Sequence, residues 1–181
     1  MARRGVPAPI WVLYACVAPD LSGPQLVRLF WEIQRLRASS ASSGPTARLV
    51  LRRLERRFAA GVEHAAGSVE PGTAIGPDTI FNHGFHGVHI SSQAVIGARC
   101  SIMHSVTIGL NPPGAWNNAP IIGDDVFIGA GANIIGRCNI GDGAKIGAGV
   151  TLVNATIAPG SVIINKSAYN LTEGKFVYSQ N

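Results

Sequence analysis

Hydrophobic positions fall into two regimes along this chain. In the first, Leu26, Leu29, Phe30, Ile33 and Leu36 recur at steps of three and four residues, the spacing that gathers side chains on one face of an α-helix. Ser22 and Pro24 are start signals ahead of that stripe, and "ASSASSGPT" breaks it. A second stripe, Leu49, Leu51, Leu54 and Phe58 within "RLVLRRLERRF", predicts a helix over 46–60 with Gly61 as its natural stop.

From Gly72 onward the period changes to six. Aliphatic residues stand at Ile90, Ile96, Ile102 and Ile108, and again at Ile122, Ile128, Ile134, Ile140, Ile146 and Leu152, with glycine directly after many of them. Neither a helix nor a flat strand repeats every six residues; a hexapeptide-repeat β-helix does. Each hexad supplies one short strand and one turn, three hexads close a triangular coil, and successive coils stack at about 4.8 Å. The sixth-residue aliphatics then point into the prism, one above another. The expected fold is mainly β: a helical region over 1–66, a parallel β-helix of about five coils within 67–164, and a tail over 165–181. Two stretches interrupt the rhythm, "NHGFHGVH" and "LNPPGAWNNAP". Insertions in a solenoid become loops on its surface, where function concentrates.

Composition narrows the picture. A chain of 181 residues suggests one main domain, and 14% charged residues with 22 glycines exclude disorder and favour a compact fold rich in tight turns. The net charge of +5 is uneven, because the first 60 residues alone carry +7. The arginines of "RLVLRRLERRF" fall on the polar side of an amphipathic helix, so that excess reads as a solvated face, with neither nucleic acid nor membrane as partner. Cys16, Cys100 and Cys138 are widely spaced without a Cys-x-x-Cys pair and read as small buried hydrophobes. The apolar run in "PIWVLYACVAP" is short and bounded by prolines, too short to span a bilayer. A cytoplasmic protein is expected.

The chemistry-bearing residues are His83, His86 and His89 in the first interruption, with His104 one coil later. At "PGTAIG", "FNHGFHGVHI", "AVIGARCSIMHSVTIG", "IIGDDVFIGAGANIIG" and "NIGDGAKIGAG", the chain resembles the left-handed β-helix acyltransferases, within them the serine acetyltransferase-like branch. The resemblance implies a homotrimer with active sites at subunit junctions, acetyl-CoA or another acyl-CoA as co-substrate, and a small-molecule acceptor. It places the family's general-base histidine on His83. Imidazole titrates near operating pH and can take the proton of an attacking hydroxyl. Asn82, His86, His104, Trp116 and Asn117 are the candidate acceptor contacts. Ala130, Gly131, Ala148 and Gly149 would leave room for the pantetheine arm, and Lys166 could meet a CoA phosphate. His89 is expected on the outside of a strand.

The chain also departs from that branch. The aspartate before the catalytic histidine is Asn82, the orienting aspartate falls on Ser68, the second histidine on Ala119, and the Gly-x-Pro-Ala-Arg stretch reads "NKSAY". Loss of two carboxylates removes the expected partners of an amino-acid ammonium, so the expected acceptor is a sugar or modified metabolite rather than free serine. Two other readings stay open: a scaffold that only binds a ligand, and a zinc carbonic anhydrase. The spacing of His83, His86 and His89 does not match the ligand pattern of the latter, and no metal is expected.

Overall fold

The computed structural model describes residues 21, 23–39, 44–111, 118–165, 169–170 and 175–176. Two helices, α1 (Gly23–Ala38) and α2 (Pro45–His64), precede the strands. Helix α1 buries Leu26, Leu29, Phe30 and Ile33, the stripe read from the sequence, while Leu36 is half-buried. Helix α2 differs from expectation at both ends. Leu49 is 71% exposed, so the buried face consists of Leu54, Phe58 and Val62. Gly61 lies inside the helix rather than ending it, at a point where a Cβ would collide with the Leu26 side chain. The glycine is a close-packing point between the helices, and α2 runs on to His64.

Fifteen short strands then wind into five coils. Face A comprises β1 (Ser68–Val69), β4 (His89–Ile90), β7 (Thr107–Gly109), β10 (Asn133–Ile135) and β13 (Thr151–Val153). Face B comprises β2 (Ala74–Ile75), β5 (Val95–Ile96), β8 (Ile121–Ile122), β11 (Asn139–Ile140) and β14 (Thr156–Ile157). Face C comprises β3 (Ile80–Phe85), β6 (Ser101–Ile102), β9 (Phe127–Ile128), β12 (Lys145–Ile146) and β15 (Val162–Ile163). All pairings within the faces are parallel. A further pair, β16 (Tyr169–Asn170) and β17 (Lys175–Phe176), is antiparallel.

The six-residue rule is visible in the core. Val69, Ile90, Ile108, Ile134 and Leu152 form one inward column, each paired in register with the next. Ile75, Ile96, Ile122, Ile140 and Ile157 form the second, and Phe81, Ile102, Ile128, Ile146 and Ile163 the third. Burying each such side chain contributes about 1.5–3 kcal/mol. Stacking mostly isoleucine on isoleucine leaves few voids between coils. Cys100 and Cys138 are buried small residues, as read; Cys16 lies outside the described residues. Burial pushes the Cys100 thiol above its ordinary value, which suits packing rather than reactivity.

The helices close the first coil. Phe30 of α1 and Phe58 of α2 meet Phe81 and Phe85 of β3 in one aromatic cluster, with Phe81 and Phe85 centroids 4.4 Å apart and Phe58 and Phe85 edge to face at 5.2 Å. This cluster anchors the residues on which the site is built.

Candidate functional site

The edge where face C turns into face A carries most of the expected site residues. At each coil a backbone N–H of this corner donates to a carbonyl of the coil below: Gly87 to Ala65, Ser105 to His86, Gly131 to His104, and Gly149 to Ala130, at 2.8–3.1 Å. The rungs of this ladder are therefore His86–Gly87, His104–Ser105, Ala130–Gly131 and Ala148–Gly149. Two histidines and the four small residues expected near CoA share one line along the prism.

His83 joins this edge through a local insertion. Ile80 pairs with Ser101 and Phe81 with Ile102, a step of 21 residues, whereas the corner rungs of the same two coils are 18 apart. The extra residues are His83, Gly84 and Phe85. Phe85 is fully buried in the aromatic cluster, Gly84 turns at φ +62° against Gly23 at the start of α1, and His83 is left exposed. The positive φ and the contact with Gly23 both require glycine at 84.

The His83 ring meets the His104 ring edge to face, with centroids 4.8 Å apart and planes at 81°. His104 is half-buried, and its Nδ1 is enclosed without a hydrogen-bond partner. Asn82 is exposed beside them and its Nδ2 donates to Ser101 Oγ at 2.7 Å. Among the described residues no carboxylate hydrogen-bonds His83. Ser68, where the resemblance put the orienting aspartate, lies opposite His89 on face A. His89 points outward from its strand, as expected, and donates its backbone N–H to Val106.

Gly131 has open space around it: a Cβ built there would meet nothing within 4 Å. Beside Gly149 the nearest group is the Asn165 amide, which donates to the Gly149 carbonyl at 3.0 Å. The open backbone at Gly131 suits an extended, narrow arm such as pantetheine, while at Gly149 the Asn165 amide borders the same line. Trp116, Asn117 and Lys166 lie outside the described residues. Among the described residues, no group of three or more His, Cys, Asp and Glu could hold a metal ion, and no helix is long and apolar enough to cross a membrane.

The second interruption leaves from a different edge, between faces A and B. Its flanks are tied together, since Asn118 Nδ2 donates to the Asn111 carbonyl at 2.8 Å while Arg137 Nη2 and Nε donate to Asn118 Oδ1 at 2.9 and 3.2 Å. Arg137 and Ser101 are the supporting residues that the sequence reading missed. The arginine in "IIGRCN" was the available signal for the first; nothing marked Ser101.

A three-sided β-helix with an outward imidazole on an edge of small residues defines the class of hexapeptide-repeat transferases, and residues 119–153 match the family described as bacterial transferase hexapeptide (six repeats). Among curated proteins, the chain is 32% identical over 119 residues to a serine acetyltransferase of Helicobacter pylori, covering 66% of each chain. It is 34% identical over 96 residues to the serine acetyltransferase of Mycobacterium tuberculosis, covering 53% of this chain and 41% of that one. Of solved structures, the Neisseria gonorrhoeae serine acetyltransferase superposes with a TM-score of 0.61 at 27% identity, over 79% of this chain and 52% of that one. Soybean serine acetyltransferase complexed with serine gives 0.59 at 34% identity, over 77% and 53%.

The chain belongs to the left-handed β-helix acyltransferase family, in its serine acetyltransferase-like branch. It spans about two thirds or less of the length of the relatives it matches. The expectation of a sugar or modified metabolite as acceptor gains no support from them, since they are named for serine.

Proposed function

We propose that the protein transfers an acetyl group from acetyl-CoA to the hydroxyl of a small acceptor, with serine as the first candidate. The observation that carries this reading is the shared edge: an exposed His83 in contact with His104, followed along the same line by the small-residue rungs Ala130–Gly131 and Ala148–Gly149. In this reading His83 takes the proton of the acceptor hydroxyl as its oxygen attacks the thioester carbonyl carbon. The carbon–sulfur bond then breaks, and the proton passes from His83 to the departing sulfur to give free CoA thiol. No covalent acyl-enzyme is needed. The pantetheine arm would run along the edge over Gly131 and Gly149.

The departure at Asn82 does not exclude serine. With Nδ2 engaged by Ser101, the amide oxygen is the acceptor left to Asn82, and an amide oxygen accepts from an ammonium as well as from a hydroxyl. The assembly belonging to this reading is a homotrimer. Val95 and Ile121, 46% and 55% exposed and stacked on the outer side of face B, would supply apolar surface for association.

Thiol release from acetyl-CoA, with serine run against sugars and cyclic alcohols, tests the reading. Serine-dependent release is expected, and His83→Ala should reduce it roughly 10²–10⁴-fold, the usual scale of general-base loss. An intact, folded protein that releases no thiol with any acceptor would instead support a ligand-binding scaffold.

A further inference from the structure

Helix α2 carries two stripes on opposite sides. Leu54, Phe58 and Val62 face inward and are buried. Leu49, Arg52, Arg53 and Arg56 stand at i, i+3, i+4 and i+7, the spacing of a single helical face, and all four are exposed, Leu49 at 71%. The sequence reading puts Leu49 on the buried stripe with Leu54 and Phe58; in the structure it stands among the arginines instead, with Val50 partly exposed beside it. A lone exposed leucine is ordinary on a protein surface. A leucine and a valine set into an arginine stripe form a composite that suits a particular kind of partner.

The stripe lies where the charge of the molecule is concentrated. Between 23 and 64 the chain holds eight arginines and three glutamates, an excess of five that equals the net charge of the whole chain. Glu32 meets Arg35 and Glu55 meets Arg37, while Glu63 lies about two turns beyond Arg56. Among the described residues no carboxylate pairs with Arg48, Arg52 or Arg56. Their charge is left to an external anion.

Charge and apolar surface together select that partner. A second copy seated on this face about a two-fold axis would set Arg52 and Arg56 against arginines of the same stripe. A nucleic-acid duplex attracts arginines through its phosphates but gives Leu49 and Val50 no apolar volume to enter. An anionic bilayer surface takes both kinds of side chain: its headgroups attract the guanidinium groups, and the headgroup–acyl boundary admits leucine and valine. The sequence holds a second apolar element ahead of α1, Ile10, Trp11, Val12 and Leu13, preceded by Arg3 and Arg4, and stable attachment of this type takes two signals. No described helix is long and apolar enough to cross a membrane, so the contact is peripheral.

We propose that the outward face of α2 docks this protein on an anionic lipid surface, with Arg52 and Arg56 meeting headgroups and Leu49 entering the boundary beneath them. The sequence reading of this charge as a solvated face without a membrane partner is thereby revised, and exposed Leu49 is the reason. The proposal stands apart from the acetyl-transfer reading, since none of these residues lies on the edge that carries His83.

Co-sedimentation of the full chain with vesicles tests it, phosphatidylcholine alone against phosphatidylcholine and phosphatidylglycerol in equal parts. Binding is expected to the anionic vesicles only, and it should weaken as salt rises. Arg52→Gln combined with Arg56→Gln should weaken it roughly thirtyfold, the effect of two arginines near such a surface, and Leu49→Ser about tenfold, the loss of one inserted leucine. The three positions are exposed, so both variants should keep the Tm and any thiol-release activity of the unmodified protein.

No binding to anionic vesicles, or equal binding to both kinds, would overturn the proposal, as would variants that bind like the unmodified protein. Tighter binding to a DNA duplex that Leu49→Ser leaves intact would assign the face to nucleic acid instead, and a smaller solution mass in Leu49→Ser would assign it to another copy of the chain. Vesicle binding in a protein that releases no thiol would remove the acetyl-transfer reading and leave this proposal in place.

Discussion

Gly84 lies so close to Gly23 that a Cβ built on it would stand 2.8 Å from the Gly23 Cα, which ties the segment bearing His83 to the first residue of α1. Gly84 also holds φ +62°, so Gly84→Ala meets both backbone strain and a steric clash with main chain that has no rotamer to yield. We expect a loss of about 1–3 kcal/mol in stability. Turnover should fall further than stability alone explains, because the residue displaced is the neighbour of His83, the proposed base. Thermal melts and kcat measured on the same preparation check this.

Phe85→Ala should cost about 3–5 kcal/mol, the range for emptying a buried phenylalanine site. Phe85 is fully buried and touches Phe30, Phe58 and Phe81 at once, so no single neighbour can collapse into the space. A denaturant titration reads the loss as a lower midpoint. Phe85→Leu should recover a large part of it.

Ala148→Phe tests the edge proposed for the pantetheine arm without touching the imidazoles. Ala148 is exposed, and its rung lies two coils beyond His104. A bulky ring there should raise KM for acetyl-CoA by about tenfold, roughly 1.4 kcal/mol, and leave Tm and the acceptor KM close to wild type. An unchanged KM would move the arm to another face.

The edge between faces B and C carries a charged cluster with a defined pH signature. Arg99 Nη2 meets Asp125 Oδ2 at 2.7 Å and Asp124 Oδ2 at 3.1 Å. The Arg99 hydrogen bond holds the Asp125 carboxyl below the usual carboxylate range. A carboxyl depressed in the folded state contributes stability that is present above its unfolded value and lost as pH falls through its folded value. Asp125→Asn should therefore lower Tm at neutral pH, with the difference from wild type closing below about pH 4. Both groups are exposed, so salt on the order of 1 M should shrink the difference as well.

The fold was legible because a six-residue period admits so few structures. Each of Ile90, Ile96, Ile102 and Ile108 lands in the core, and the same rule carries through to Leu152. The helices were legible on one face, but Gly61 was not: its role depends on Leu26 from another element, which no local signal encodes. The site was half-legible. His83 and His104 could be picked out singly, and the intervals from His86 to His104 and from Ala130 to Ala148, each 18 residues, were a signal that they occupy equivalent corners. The interval from His104 to Ala130 is 26, because the second interruption intervenes, and that hid the single line joining them. Which ring nitrogen of His104 is enclosed depends on three-dimensional packing and could not be read at all.

The aromatic cluster of Phe30, Phe58, Phe81 and Phe85 gives this solenoid a direction. In a repeat structure each coil rests only on its neighbours, so material at the far end can be lengthened, shortened or frayed at little cost to the rest. The first coil has no such freedom here, because the same side chains that shield its open end from water also fix the segment from which His83 projects. Lid and proposed site are mechanically one part. Loosening the helices would bare unpaired strand edges to other chains and silence the site in the same motion, so a soluble but inactive form lacking only that lid is not a state this architecture offers.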